Sequence, residues 1–223
     1  MERINEGLWE LPHDTWMPGG VCFSGRMTVL RAADASLVLH SPVPLDEGAR
    51  AQLAELGEVG HIVAPNLVHH LYAADAKAAF PDAVLWGAPG LREKTGLGVD
   101  RVLDAGFDVP GLRAIPLPSG PKLNETVFLH PASGTLVVTD LVFNLRQTRG
   151  WATPWVMRLV GCHQCLSASR SLKWVFVKED FAAFVQAARA LTELEWDRLV
   201  MNHGEIVEQG GREALREGLA WMG

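Results

Sequence analysis

Four side chains that can bind a metal lie at or just beyond the ends of apolar runs in this sequence. His69 and His70 lie on a loop after one run, Asp140 is the last residue of a second, and His203 follows a third. Strand ends in α/β proteins project side chains into a common cleft, where sites are usually built. Imidazole and carboxylate ligands together suit zinc, iron or manganese. Taken singly, each residue also fits a structural role, such as a turn or a helix cap.

The elements that would position these residues follow from the hydrophobic pattern. The predicted strands are 26–31, 36–41, 61–64, 83–86, 112–117, 125–130, 135–140 and 196–202, and the predicted helices are 45–56, 69–79, 178–194 and 212–221. Strand pairs come first, and strands alternating with helices follow. That order predicts an α/β (α+β) protein with two sheets, each covered by helices, and not one doubly wound sheet.

Composition limits the classes of partner. The chain has 223 residues, a net charge of −6 and no run of lysine or arginine, which argues against a nucleic-acid partner. It has no apolar stretch long enough to span a membrane, no signal-peptide pattern, and three cysteines. We therefore expect one domain over 1–223 in a soluble cytoplasmic protein that acts on a small-molecule substrate or ligand. We expect no nucleic-acid or membrane partner, and a homodimer stays open.

The order of these features resembles the metallo-β-lactamase superfamily over residues 20–222, and more narrowly a bacterial branch of unassigned function. The strings that carry the narrower resemblance are Leu-His-Ser-Pro (39–42), Ala-Pro-Asn (64–66), Glu-Thr-Val-Phe (125–128) and Thr-Asp-Leu-Val-Phe-Asn (139–144). The resemblance implies an αββα sandwich with the site along one edge of the two sheets. It does not fix the function, because that superfamily contains hydrolases, oxidoreductases and nucleases.

The sequence departs from the superfamily's main metal motif, His-x-His-x-Asp-His. If the last His of the motif is His70, its Asp falls on His69, and the two earlier His fall on Leu67 and Pro65, which cannot bind a metal. A further family ligand, a His in a Gly-His loop, is replaced within Ser119-Gly-Pro-Lys-Leu, where Lys122 or Glu125 could occupy the space. The metal site built from those three histidines is therefore expected to be absent.

The resemblance leaves the other half of the metal site. Its ligands carry over to His69, His70, Asp140 and His203, which would hold one Zn²⁺ or Fe²⁺. If all four bind, no position is open for water and the site is structural. If His69 turns away, three ligands and an open position form a hydrolytic arrangement.

Two functions follow. The first is a metal-dependent hydrolase with a reduced, at most mononuclear, site, in which Asp140 serves catalysis and Lys122 or Asn202 donates to an oxyanion. The alternative is a non-catalytic metallo-β-lactamase-fold protein that binds a small ligand or a protein partner.

Three further features of the sequence give weaker evidence of function. Cys162 and Cys165 have the spacing of a thiol redox motif or half a zinc knuckle, but no second pair completes it. The Trp-rich stretch at about 148–176 predicts a helical insertion. One interpretation is a lid packed on the sandwich; the other is an exposed apolar surface, including Trp151 and Trp155, that forms a substrate wall or a dimer contact. Ser41 lacks a Gly-x-Ser-x-Gly elbow and is not predicted to be a nucleophile.

Overall fold

The computed structural model describes residues 1–104, 106–177 and 180–223. The strands are β1 (Glu2–Asn5), β2 (Leu8–Met17), β3 (Val21–Arg31), β4 (Leu37–His40), β5 (Val59–Ala64), β6 (Val84–Gly87), β7 (Arg101–Val102), β8 (Arg113–Pro116), β9 (Thr126–His130), β10 (Thr135–Val138), β11 (Phe143–Asn144), β12 (Leu166–Ser167) and β13 (Arg198–Met201). The helices are α1 (Glu47–Leu56), α2 (Ala73–Ala79), α3 (Leu91–Thr95), α4 (Thr153–Val160), α5 (Phe181–Ala190) and α6 (Gly211–Gly218). A π-helical turn spans Leu172–Phe176, and short 3₁₀ turns lie at Pro131–Ser133, Leu191–Glu193 and Ala220–Met222.

The strands form two main sheets. The first has the order β1-β2-β3-β4-β5-β6-β7, antiparallel from β1 to β4 and parallel from β4 to β7. The second has the order β13-β10-β9-β8, in which only β10 and β13 pair in parallel. Strands β11 and β12 form a separate short ribbon.

The core has three apolar layers, and these define the architecture. The layer between the two sheets joins Leu30, Val63 and Trp86 of the first sheet to Phe128 and Val200 of the second. One outer layer packs α1 to α3 on the first sheet, and the other packs α5 and α6 on the second. The sequence-based prediction of two helix-covered sheets is therefore confirmed as an αββα sandwich.

Several predicted elements differ from the structure at their ends, and two helices illustrate the reasons. The helix expected over 69–79 begins only at Ala73, because residues 66–70 form a turn in which the side chain of Asn66 accepts the backbone N–H groups of Val68 and His69. The helix expected over 178–194 is α5 followed by a 3₁₀ turn, and its first two predicted residues lie outside the described residues.

Two N-terminal strands, β1 and β2, were not predicted from the sequence. Strand β2 is mostly half-buried, with Leu8 as its one fully buried residue. Its alternation of apolar and polar residues is therefore weak, and its pairing with β3 over ten residue pairs is what makes it a strand. In the described part of the chain no helix is long and apolar enough to cross a membrane.

Candidate metal centre

Three of the predicted ligands meet at one edge of the two sheets. His69 comes from the loop after β5, and His203 lies two residues beyond β13. Asp140 was predicted as the last residue of a strand, but β10 ends at Val138 and Asp140 lies two residues beyond it. The Nε2 atom of His69 lies 3.2 Å from His203 Nε2 and 3.3 Å from Asp140 Oδ2. His203 Nε2 lies 3.9 Å from Asp140 Oδ1. Each residue thus offers one ligand atom, all within 4.8 Å of one another.

These separations fit a metal ion. A tetrahedral zinc ion with ligand bonds of about 2.0–2.1 Å separates its ligand atoms by about 3.3 Å. The His69–His203 and His69–Asp140 separations match this value. His203 Nε2 lies 3.9 Å from the other carboxylate oxygen of Asp140, Oδ1, so the two histidines approach different oxygens of the same carboxylate. Two imidazoles and a carboxylate leave a fourth position open, which is the pattern of catalytic zinc sites and not of closed structural ones.

The surroundings of His203 hold its ring in the form that binds a metal. Its Nδ1 lies 3.2 Å from the carbonyl oxygen of Ser24, which can only accept a hydrogen bond. Burial, and then the neighbouring His69, lower the pKa of His203 to about 4, so the ring is neutral at pH 7. With its proton on Nδ1, the lone pair on Nε2 points to the ligand group. The ring of Phe143 stacks on the imidazole at 5.1 Å.

His69 and Asp140 form a mutually stabilised pair. Burial lowers the pKa of His69, but the Asp140 carboxylate outweighs burial and raises it above the usual value. Burial likewise raises the pKa of Asp140, but the His69 imidazole and other neighbours outweigh it and bring the pKa to about 2. The carboxylate is therefore ionised at neutral pH. A cation bound between these two groups would displace the proton from His69.

Asn66 joins the loop that carries His69 to the strand end that carries Asp140. Its side-chain oxygen accepts the backbone N–H of His69 at 2.7 Å, and its side-chain nitrogen lies 2.7 Å from Asp140 Oδ2 and 2.6 Å from Glu125 Oε2. Asn66 was not predicted as a site residue from the sequence. Its position directly after Pro65, beyond a buried strand, is a signal for a side chain that caps a turn.

Glu125 is fully buried and accepts four hydrogen bonds. Its Oε1 accepts the backbone N–H groups of Thr139 and Asp140, and its Oε2 accepts the Thr139 hydroxyl and the Asn66 amide. Burial and the Asp140 charge raise its pKa. Because all its hydrogen bonds point into the protein, Glu125 positions Asp140 and is not a ligand in the group of three.

A cavity of about 480 Å³ opens over the three ligands. Its polar lining includes Arg26, Ser41 and Lys94 beside the ligands. Most of its wall is apolar: Met17, Phe23, Val43, Leu67, Val68, Leu71, Phe143, Val156, Met157, Val160 and Phe176. Apolar walls with a few convergent polar groups are typical of small-molecule sites.

The structure separates three predicted site residues from the roles expected of them. His70 lines the cavity but lies outside the ligand group, since adjacent residues of the turn point in different directions. Lys122 lines a different pocket, with Pro118 and Val175, and does not face the ligands. Asn202 lines the cavity, but its amide nitrogen donates to the Arg26 carbonyl at 2.6 Å and to Ser41 Oγ at 3.0 Å. Both amide hydrogens are thus used, and none is free for an oxyanion.

Ser41 contacts the ligand group directly, which the sequence did not indicate. Its Oγ lies 2.9 Å from His69 Nδ1, and its backbone has a φ of +55°, a left-handed conformation that is unusual for serine. The geometry is that of a hydroxyl that orients a ligating histidine, or of a nucleophile beside a base.

The two cysteines do not form an evident redox pair. Cys162 is fully buried, and burial followed by the neighbouring Cys165 raises the pKa of its thiol to about 12. Cys165 is exposed, and both cysteines are free thiols. A reactive thiol needs a lowered pKa, so Cys162 has the properties of a packing residue.

Comparisons with known proteins place the fold but give no close relative. No family model and no curated protein match the sequence. Among solved structures, a metallo-β-lactamase from Pontibacter korlensis is 14% identical, covers 99% of this chain and 96% of its own, and has a TM-score of 0.67. The metallo-β-lactamase FIM-1 from Pseudomonas aeruginosa, solved in its mono-zinc form, is 16% identical, covers 99% of this chain and 92% of its own, and has a TM-score of 0.62. Identities this low establish the fold alone, and the chain therefore has the metallo-β-lactamase fold that its sequence resembles.

Proposed function

We propose that this protein is a hydrolase that uses one divalent metal ion, zinc or iron, bound by His69, Asp140 and His203. The observation that carries the proposal is the set of ligand-atom separations, 3.2 Å, 3.3 Å and 3.9 Å, at the floor of an apolar cavity. The FIM-1 structure in its mono-zinc form shows that a protein of this fold can hold a single zinc ion.

A bound ion would supply Lewis-acid activation of a carbonyl or phosphoryl group. The chain's own residues prepare the site for it. Asp140 stays ionised at neutral pH, and His203 presents the lone pair of Nε2 because Ser24 accepts from its Nδ1. Asn66 donates to the carboxylate of Asp140, and Glu125 accepts its backbone N–H. Asp140 is therefore already held in position before a metal ion binds.

The cavity favours a neutral and largely apolar substrate. Its apolar wall would bury the body of such a molecule, and the polar groups of the lining could orient it over the ligands. The net charge of −6 disfavours polyanions. Esters, lactones and amides with apolar substituents are the substrate class that this lining fits.

The experiment that tests the proposal is elemental analysis of protein purified without an affinity tag, with hydrolysis of chromogenic esters, lactones and amides measured in parallel. We expect about one equivalent of zinc or iron, as three ligands with an open position require. His203→Ala should lose both the metal and the activity. His70→Ala is the matched control, because His70 lines the same cavity outside the ligand group, and it should keep the metal.

Two results would contradict the proposal. The first is the absence of metal even after reconstitution with zinc and iron. The second is a metal-loaded protein that hydrolyses none of these substrates. The second result would favour the alternative of a non-catalytic protein that binds a small ligand or a protein partner in this cavity.

The contact between Ser41 and His69 supports a second candidate, a serine hydrolase that needs no metal. Ser41 Oγ lies 2.9 Å from His69 Nδ1, and His69 Nε2 lies 3.3 Å from Asp140 Oδ2. This is the order of nucleophile, base and orienting carboxylate that defines a catalytic triad. Strained backbone such as the φ of +55° at Ser41 often occurs at a nucleophile.

Ser41→Ala distinguishes the two candidates. In the metal-dependent hydrolase, removal of a hydroxyl that orients a ligand weakens metal affinity by about 10-fold to 100-fold, and saturating zinc restores turnover. In the serine hydrolase, activity resists chelators, a fluorophosphonate probe labels the wild type, and Ser41→Ala loses both properties at any zinc concentration.

A further inference from the structure

Helix α4 exposes large apolar side chains beside the cavity. Trp155 and Leu159, one helical turn apart, are 68% and 69% exposed, and Trp151 just before the helix is 76% exposed. The indole of Trp151 lies against Gly20 of the β2–β3 hairpin, so closely that a Cβ on Gly20 would overlap it. This packing holds the Trp151 indole against the hairpin while most of the side chain stays in solvent. Contiguous exposed apolar groups of this size mark an interaction surface.

Basic residues surround these apolar side chains. Residues 141–177 contain five arginine or lysine residues and no aspartate or glutamate, in a chain whose net charge is −6. The guanidinium of Arg158 lies 5.3 Å from the ring centre of Trp155. Arg170 packs on Gly161, the residue that ends α4, since a Cβ there would lie 3.1 Å from Arg170 Nε. Within the described residues, neither arginine has a carboxylate within ion-pair distance.

We define the α4 face as Trp151, Trp155, Arg158, Leu159 and Arg170. We propose that the α4 face binds the surface of a lipid bilayer that contains anionic lipids. Tryptophan rings are favoured at the headgroup level, an aliphatic side chain one turn further along the helix can enter the acyl region, and arginines pair with lipid phosphates. This binding is peripheral and needs no membrane-spanning helix. The proposal therefore departs from the expectation of no membrane partner, which was based on the lack of a long apolar stretch in the sequence.

The charge of the α4 face favours an anionic lipid surface over a second copy of the chain as its partner. A two-fold symmetric dimer places the same patch of both copies face to face. Such a pairing would bring Arg158 and Arg170 of one copy near those of the other, and none of the five residues that define the α4 face is acidic. An anionic lipid surface provides the complementary charge that a second copy lacks.

The cavity opens next to the α4 face. Val156 and Val160, on the neighbouring row of α4, line the cavity together with Met17 and Phe176. One helix thus presents one row of side chains to solvent and the next row to the space above the ligand group. A bilayer bound at the α4 face would lie beside the apolar entrance of the cavity. Substrates with apolar substituents, the class proposed above, partition into such a bilayer and would be close to the cavity.

The test is co-sedimentation of the full chain with phosphatidylcholine vesicles, with and without phosphatidylglycerol. We expect binding to the anionic vesicles, weakening as salt increases. Each basic residue near an anionic surface contributes about fivefold in partitioning, so Arg158→Glu with Arg170→Glu should reduce binding at least about 25-fold. Trp155→Ser with Leu159→Ser should also reduce binding. Arg3→Glu with Arg113→Glu, and Val102→Ser, are exposed controls elsewhere that should bind like the wild type.

Circular dichroism of each variant checks that it is folded. Equal binding to neutral and anionic vesicles, or unchanged binding by the two α4-face variants, would overturn the proposal. A wild-type dimer in light scattering that becomes a monomer in Trp155→Ser with Leu159→Ser would assign the face to a second copy instead. These measurements use neither metal nor hydrolysis, so they succeed or fail independently of the proposed function.

Discussion

At the scale of single residues, a few buried polar side chains hold the candidate centre together. Asn66 connects the loop of His69 with the end of β10 through hydrogen bonds of 2.7 Å on both sides. Glu125 collects four donors from the same region. Buried polar networks of this kind are costly when one member is lost, because the remaining groups stay desolvated without partners.

Asn66→Ala should therefore destabilise the fold. It removes partners from the backbone N–H of His69 and from the carboxylates of Asp140 and Glu125, and we expect a loss of about 3 kcal/mol in the free energy of unfolding. Urea denaturation measures it. Asn5→Ala is the control, because within the described residues the Asn5 side chain makes one hydrogen bond, a long one of 3.4 Å to the Ser133 carbonyl. Equal effects of the two substitutions would contradict the role given to Asn66.

His40 should make stability depend on pH. Burial, followed by the charge of His69, lowers the pKa of His40 to about 3, and its Nε2 has no hydrogen-bond partner within the described residues. As pH falls below about 6.5, the unfolded chain takes up a proton that the folded chain excludes, so stability falls by about 1.4 kcal/mol per pH unit. The loss continues until the folded histidine titrates near pH 3.

His40→Leu removes this contribution. Between pH 7 and pH 5 the variant should lose about 2 kcal/mol less stability than the wild type, whatever the stabilities at pH 7. Urea denaturation at the two pH values gives the difference. The same loss in both proteins would show that His40 is protonated in the folded state at pH 5.

At the scale of elements, strand ends and the turns after them place the ligands. His203 follows β13, where its carbonyl accepts from Asn144 of β11 at 3.0 Å. Gly204 comes next with a φ of +102°, and a Cβ at this position would overlap the carbonyl group of Asn144. Only glycine lets the chain turn here while β11 stays close, and that contact holds His203 over the cavity.

Gly204→Ala should displace His203. We expect a loss of about 3 kcal/mol or more in stability, because backbone strain and overlap with backbone atoms add, together with loss of metal binding. Gly96→Ala separates the two causes, since Gly96 has a φ of +72° and open space around it, and should cost only about 1–2 kcal/mol. Urea denaturation and metal content measure both variants. Equal losses in the two variants would rule out the overlap.

At the scale of the whole molecule, the site exists only where the two sheets meet. His69 belongs to the first sheet's loops, whereas Asp140 and His203 each lie two residues beyond neighbouring parallel strands of the second. A metal ion bound by all three would therefore cross-link the two halves of the sandwich. Unfolding would have to release the ion, so metal binding and global stability are linked.

Zinc should raise the stability of the wild type. At a free concentration of about 100 times Kd, the gain is about 2.7 kcal/mol, and a chelator should reverse it. Thermal unfolding with and without zinc measures the shift, which His203→Ala should abolish and His70→Ala should keep. An unchanged Tm in the wild type would contradict a site that joins the two sheets.

The sequence by itself determined most of the strands of the two sheets and named the three residues that meet in the His–Asp–His group. Apolar runs and turn residues are local signals, so most strands and the strand-end positions of Asp140 and His203 could be read from them. Strand β2 could not, because its half-buried residues alternate weakly and its partner β3 defines it. The Lys122 prediction also failed, since nearness in sequence to a lost ligand does not fix which pocket a side chain faces.

Only the tertiary structure decided which histidine of the adjacent pair joins the centre and what supports it. The choice of His69 over His70 depends on a turn held by Asn66, whose other partners lie 59 and 74 residues away in the chain. The contacts of Ser41 with His69 and Asn202 span 28 and 161 residues. Such contacts form only when the chain folds and its packing fixes the direction of each side chain. That direction cannot be predicted from the local pattern of the sequence.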